Sequence, residues 1–245
     1  MTDVTRDGTK RYKQPPMPLF QGEREILDRF VRPGMRVLDV GCGYGRVTGP
    51  LLQRGARVWA CDLNLAVLRQ LQTNLASEST AAIIQADARS LPFKDRQLDV
   101  VLFAFNAIDM VFPETARIHV LQEIERVLRP GGYFIFSSHN PLGTVVSPRG
   151  LRSWTSWRVR LRHLLSGAFR QTYFRDEADT VWYQALPRSV IRQVSEQSGM
   201  AFRVAVNRSG TLSSLAVISL LSAWPYYVFQ KDDAHAGSTR APSAL

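Results

Sequence analysis

The sequence predicts an α/β protein built on an open, doubly wound parallel sheet. Three observations carry this. Between residues 36 and 138, short apolar runs of strand length alternate with amphipathic stretches of helical period, the rhythm of parallel strands joined by crossover helices. Residues 98–105 are almost continuously apolar, as in a strand covered on both faces. The first run, Arg36-Val37-Leu38-Asp39-Val40, passes directly into Gly41-Cys42-Gly43-Tyr44-Gly45. Glycines at that spacing let the backbone turn sharply and approach a ligand that a Cβ would block. Open sheets of this kind bind ligands at the carboxyl ends of their strands.

Residues 1–20 are basic and proline-rich and read as a mobile, extended arm. Residues 21–31 form a short amphipathic helix with Ile26, Leu27, Phe30 and Val31 on one side, ended by Pro33-Gly34. After the glycine-rich turn, 46–54 is a helix stopped by Gly55. Residues 57–62 are a second strand ending in Asp62. Residues 64–77 are a helix with Asn64 as its cap and leucines 65, 68, 71 and 75 at helical spacing. Strands follow at 82–86, 98–105 and 133–138, with a helix over 114–128 closed by Arg129-Pro130-Gly131-Gly132.

The alternation breaks after His139-Asn140-Pro141. Residues 143–180 carry no strand signal and read as a helical cap insert. Within 151–169, Trp154, Trp157, Leu161, Leu164 and Leu165 share a face and arginines lie elsewhere. A helix over 187–198, with Pro187 at its start and Gly199 past its end, precedes a strand at 201–206. A buried helix or irregular apolar segment at 212–221 and a last strand at 226–229 follow. Residues 232–245 are polar and small and read as a disordered tail. The whole reads as a single domain.

The formal net charge is +10 and the apolar fraction 45%. The charge suits an acidic substrate, nucleic acid or an anionic membrane surface without choosing among them. Two cysteines, Cys42 and Cys61, are too few for a disulfide framework or a zinc site. They read as reduced, buried thiols of a cytoplasmic protein, and no metal is expected. The uncharged stretch 210–229 is broken by four serines and Trp224-Pro225, which argues against a membrane span.

The glycine pattern discriminates among cofactors. A dinucleotide turn, G-x-G-x-x-G, wants its third glycine where Arg46 stands when counted from Gly41, or where Thr48 stands when counted from Gly43. The pattern is G-x-G-x-G, with Asp39 two residues before it. An acid there repels a pyrophosphate and suits a cationic ligand. Asp62, at the end of the second strand, suits the two hydroxyls of a ribose.

Taken with these residues, 37–45 resembles the first motif of class I S-adenosylmethionine-dependent methyltransferases. Ala60-Cys61-Asp62-Leu63, Gln85-Ala86-Asp87-Ala88 with Leu91-Pro92-Phe93, Leu98-Asp99-Val100-Val101, and 121–132 are similar to further motifs of that family, in the same order. The resemblance covers roughly 23–138 and is weaker beyond. It implies a Rossmann-like, seven-stranded, mostly parallel sheet whose last strand is antiparallel, and S-adenosyl-L-methionine as cofactor. It also implies roles. Gly41, Gly43 and Tyr44 would lie along the amino-acid part of the cofactor and Asp39 near its amino group. Asp62 would take the ribose hydroxyls and Leu63 would cover the adenine. Asp87 and Ala88 would bond the adenine edge, and Phe105 and Asn106 would border the methyl.

Methyl transfer is an in-line displacement whose main demand is alignment. A base is needed only for a poor nucleophile. His139, Asp109 and Tyr44 fall at carboxyl strand ends; His139 is the base of choice because imidazole titrates near working pH. His119, inside a helix, reads as structural. Tyr12, Trp154, Trp157 and Asp109 are candidate acceptor contacts. The reading adopted is transfer to an O or N atom of a small-molecule acceptor, acidic or lipophilic. Two alternatives stay open: an RNA methyltransferase that binds tRNA or rRNA through the Arg/Trp-rich insert, and a membrane-associated lipid or quinone methyltransferase. The place after the fourth strand reads Phe105-Asn106-Ala107-Ile108, without the prolines of exocyclic-amine nucleic-acid enzymes. The oligomeric state is not set by these features.

Overall fold

A computed structural model describes residues 17–75, 81–146, 172–175, 180–210 and 214–232. The candidate residues Tyr12, Trp154 and Trp157, the arm before Met17 and the tail after Asp232 lie outside them, as does most of the insert.

The chain runs α1 (Gln21–Phe30), β1 (Arg36–Val40), α2 (Thr48–Gln53), β2 (Arg57–Asp62), α3 (Leu65–Asn74), β3 (Ala82–Gln85), β4 (Leu98–Phe103), a 3-10 turn (Ala107–Met110), α4 (Glu114–Val127) and β5 (Leu128–Ser137). Then come α5 (Pro141–Val146), β6 (Thr172–Arg175), β7 (Val181–Gln184), α6 (Pro187–Ser198), β8 (Ala201–Val206), α7 (Leu215–Leu221) and β9 (Tyr226–Gln230). The main sheet has seven strands in the order β3-β2-β1-β4-β5-β9-β8. Every pair from β3 to β5 is parallel, and β9 runs antiparallel between β5 and β8. The strand order reverses between β1 and β4, so a crevice opens at their carboxyl ends.

Two apolar layers explain the arrangement. On one face Leu38, Val101, Phe134 and Phe136 pack with Val120, Leu121 and Ile124 of α4 and Val190 and Val194 of α6. On the other, Val37, Val100 and Ile135 pack with Ile26 and Leu27 of α1 and Leu51 of α2. Alternate residues of one strand thus serve opposite layers, which is why β4 and β5 read as unbroken apolar runs. At the amino end of the sheet, Asp99 accepts from the Arg36 backbone N–H at 2.7 Å and from the Arg36 and Arg129 guanidiniums. Burial works against its charge, but the two arginines outweigh it and hold its carboxyl below the usual range. Asp99 therefore ties β1 to β5 far from the crevice.

Several boundaries differ from the sequence reading for local reasons. The helix expected from residue 46 begins at Thr48, because Arg46 still belongs to the turn. β4 stops at Phe103 because Phe105 and Asn106 take left-handed backbone, φ 54° and 59°. β5 reaches back to Leu128, which pairs with Leu98. The helical reading of 143–180 is corrected at its end: Thr172–Arg175 is a strand, paired antiparallel with Val181–Gln184 in a separate two-stranded sheet. The segment expected to be buried at 212–221 is helical from Leu215, but only Ile218 is fully buried and Leu221 is 64% exposed. No helix among the described residues is long and apolar enough to cross a membrane.

Candidate active site

The crevice is built first by the glycine turn. Gly41, Gly43 and Gly45 all have positive φ, at 64°, 55° and 86°, where side chains are strained. A Cβ on Gly45 would also lie 2.3 Å from Leu71 Cδ1 of α3, whereas one on Gly43 would meet nothing within 4 Å. Gly45 is thus required by packing, and Gly43 leaves open space above the turn. Asp62 fastens this turn to the end of β2: its carboxylate accepts from Gly43 N–H at 3.1 Å and Asn64 N–H at 2.9 Å. Leu63 beside it is 48% exposed, an apolar surface over the crevice.

Asp39 lies under the turn, 1% exposed. One carboxylate oxygen accepts from Thr48 Oγ1 at 2.7 Å, and the other, Oδ1, is buried without a partner among the described residues. Burial pushes its carboxyl up to about 7, the Thr48 hydrogen bond and Arg46 offsetting only part. Arg46 does not face a phosphate site. Its guanidinium is paired with the buried Glu23 of α1, Nη1 to Oε2 at 2.6 Å, and Glu23 also accepts from the Phe20 N–H at 2.9 Å. The start of α1 is thereby held against the turn, and Phe20 stacks on Phe105 with ring centroids 5.9 Å apart. Asp87 at the β3 end is half-buried and is held by Arg89, with Nε 3.0 Å from both carboxylate oxygens. That contact lowers its carboxyl from the usual range. A ligand bonding Asp87 must share it with, or displace, Arg89.

At the ends of β4 and β5 the structure assembles a second group. Asp109 is completely buried. Its Oδ2 accepts from the His139 backbone N–H at 2.7 Å and contacts His139 Nδ1 at 2.8 Å; its Oδ1 accepts from Ser138 Oγ at 2.8 Å and Arg117 Nη1 at 3.3 Å. A carboxylate beside Nδ1 keeps the proton there, leaving Nε2 as an acceptor. Asn106 Nδ2 lies 3.4 Å from Nε2. The imidazole meets Phe174, Trp182 and Trp224 edge to face, at 5.7, 5.2 and 6.1 Å between centroids. β7 reaches this point because Ala185 N–H donates to the His139 carbonyl at 3.2 Å.

This topology and this turn coincide with what comparison finds. Residues 37–132 match a family profile described as "Methyltransferase domain". Over those residues the chain is similar to methyltransferase domains. It is 34% identical over 122 residues to a ubiquinone/menaquinone biosynthesis C-methyltransferase of Laribacter hongkongensis, a match covering 48% of each chain. The chain spans about half the length of the curated relatives it matches. Among solved structures, a SAM-dependent methyltransferase from Methanosarcina mazei shares the fold with a TM-score of 0.62 at 17% identity, covering 88% of this chain and 99% of that one. A 1,6-didemethyltoxoflavin-N1-methyltransferase from Burkholderia thailandensis, solved with its acceptor and S-adenosylhomocysteine, aligns with a TM-score of 0.59 at 16% identity over 86% of this chain and 77% of its own.

The fold brings most of the anticipated residues to the carboxyl ends of the sheet. Asp39, Gly41, Gly43, Tyr44, Asp62 and Leu63 line the β1 and β2 ends, and Phe105, Asn106 and His139 line the β4 and β5 ends. Asp109 is the correction: expected as a base or acceptor contact at a strand end, it is fully buried, behind His139, and its carboxylate orients the imidazole. His119 is exposed on α4, away from that group. Sequence reasoning missed Arg117, Glu23 and the ring walls Phe174, Trp182 and Trp224. Arg117 had a signal: it falls on the helical stripe shared by Val120, Leu121 and Ile124, where a charge needs a buried partner. Phe174 stands among the aromatics interleaved with the arginines of the insert, whereas Trp182 had no signal, since it meets His139 only through the fold.

Proposed function

We propose that this domain transfers the methyl group of S-adenosylmethionine to a small-molecule acceptor that gives up a proton, with His139 as the base. The observation that carries the reading is the pairing of an acid-lined glycine crevice with the Asp109-oriented imidazole at the neighbouring strand ends. The crevice fits the cofactor by its chemistry. Asp62 is an acceptor for ribose hydroxyls, the space above Gly43 admits the amino-acid part, and the unpartnered Asp39 Oδ1 favours a cation. The one guanidinium at the turn, on Arg46, is committed to Glu23, which speaks against a pyrophosphate. Bound there, S-adenosylmethionine supplies an electrophilic methyl group on a sulfonium. The chain's own part is to hold the acceptor in line, to shield it with half-buried rings, and to take its proton at His139 Nε2.

Leu63 covers the adenine in this reading, Ala88 and Asp87 meet its edge, and the buried thiols of Cys42 and Cys61 fit operation in the cytoplasm. The quinone C-methyltransferase relatives favour a second reading in which carbon, activated by a neighbouring hydroxyl, accepts the methyl. The same base serves both.

Calorimetry with S-adenosylmethionine tests the core of the proposal. Asp62→Ala removes a charged acceptor worth about 1.5–3 kcal/mol and is expected to weaken binding by about ten- to a hundredfold. Folded wild-type protein that ignored the ligand would end the proposal. Asp39 adds a pH signature. A cation beside it favours its ionised form, so binding expels the proton that burial retains. Affinity is therefore expected to rise with pH and to level off above about 7, and Asp39→Asn to flatten that dependence. Titration in buffers of different ionisation enthalpy reads the released proton directly.

A further inference from the structure

The rings around His139 carry information about the acceptor itself. Phe105, Phe174, Trp182 and Trp224 are each half-buried, so each keeps part of its surface open at the carboxyl ends of the sheet. They come from four separate places in the chain, yet three of them converge on one imidazole, and Phe105 meets Trp224 at 6.1 Å. Rings that only filled the core would be closed over, like Tyr183 and Phe136, both fully buried. The imidazole among these rings offers an acceptor. His139 Nε2 is an acceptor because Nδ1 faces Asp109, and Asn106 Nδ2 approaches it at a long 3.4 Å. Asn106 Oδ1 is buried without a partner among the described residues, in a side chain only 4% exposed. An occupant that donates a hydrogen bond to the imidazole and presents flat apolar faces fits this wall. At the rim, the Arg208 guanidinium lies 4.9 Å from the Trp224 ring and 3.6 Å from the Phe20 ring, where it favours an anion.

We propose that the acceptor is a hydroxylated aromatic compound, seated between Phe105, Phe174, Trp182 and Trp224 with its O–H donating to His139 Nε2. This rests on the methyltransferase reading and specifies its substrate class. Acidity decides between aromatic and aliphatic hydroxyls. A phenolic O–H has a pKa of about 10, within a few units of imidazole at about 6.5, whereas a water-like O–H near about 15.7 is out of reach. In the step, the phenolic proton passes to His139 Nε2. The ring's oxygen bonds to the methyl carbon as the carbon–sulfur bond breaks and its electron pair stays on sulfur; where a ring carbon bonds instead, its C–H proton then leaves and the ring oxygen is reprotonated. The imidazolium then returns the proton to solvent.

The test uses the full chain loaded with S-adenosylhomocysteine. Its ligands are a panel of one- to three-ring hydroxyarenes, each paired with its methyl ether, and cyclohexanol, with binding read by calorimetry. At least one hydroxyarene is expected to bind tenfold or more tightly than its ether, and cyclohexanol not to bind. Trp182→Leu is expected to weaken that hydroxyarene tenfold or more while S-adenosylhomocysteine affinity stays within twofold; Phe174→Leu provides the same readout if the first variant does not fold. No preference for any hydroxyarene over its ether, or unchanged hydroxyarene affinity in a folded wall variant, overturns the inference and leaves the methyltransferase reading intact. Failure to bind S-adenosylhomocysteine at all is instead the failure of that reading.

Discussion

His139→Ala is expected to lower the methyl-transfer rate by about 10²–10⁴, the range over which a positioned base contributes, with S-adenosylmethionine affinity unchanged. The imidazole is held at two points by one carboxylate, through its backbone N–H at 2.7 Å and Nδ1 at 2.8 Å. The ring edge that remains is the one facing Asn106 and the aromatic wall. Asp109→Asn should reproduce much of the loss, because a neutral amide no longer dictates which nitrogen carries the proton. Single-turnover transfer of labelled methyl to a hydroxyarene of the panel measures both variants. Equal rates in wild type and His139→Ala would mean that the acceptor needs no base, and would remove His139 from the mechanism.

Arg117→Met should be the most destabilising single change on this side of the sheet. Arg117 and Asp109 are both fully buried. The guanidinium also donates to the Ile108 carbonyl at 2.8 Å and to Gln193 Oε1 at 3.1 Å, and its Cζ lies 4.0 Å from the Tyr183 ring centroid. Removing one partner strands a buried charge, at a cost of about 3–5 kcal/mol. Combining Arg117→Met with Asp109→Leu removes both charges and should recover most of that stability, without recovering methyl transfer. Denaturant unfolding monitored by circular dichroism reads the difference. A loss under about 1 kcal/mol for the single variant would mean that the pair is not the bracing element described. The two experiments separate two roles: holding the imidazole, tested at Asp109 and Arg117, and meeting the acceptor, tested at His139.

Much of the fold was written in local pattern. Burial on both faces of β1, β4 and β5 appears as apolar runs, Asn64 caps α3 by accepting from Ala66 N–H at 2.9 Å, and Gly199 ends α6 at φ 69°. β6 and β7 were not legible, because a two-stranded sheet beside the site is stabilised by what it packs against rather than by a period of its own. Within the site, glycine spacing and the acids of β1 and β2 sit within one contiguous stretch, and so they could be read as a cofactor crevice.

The sequence by itself determined the strand-turn-helix that forms that crevice, the G-x-G-x-G count that argues against a dinucleotide, and the placing of Asp62 and His139 at strand ends. Those are relations between near neighbours, where backbone geometry follows from residue type. Only the tertiary structure decided that Asp109 is buried behind His139 rather than facing the acceptor, that Arg117 balances it from α4, and that Trp182 and Trp224 close on the same imidazole. These contacts join residues far apart in the chain. Packing selects them, and no local pattern encodes packing.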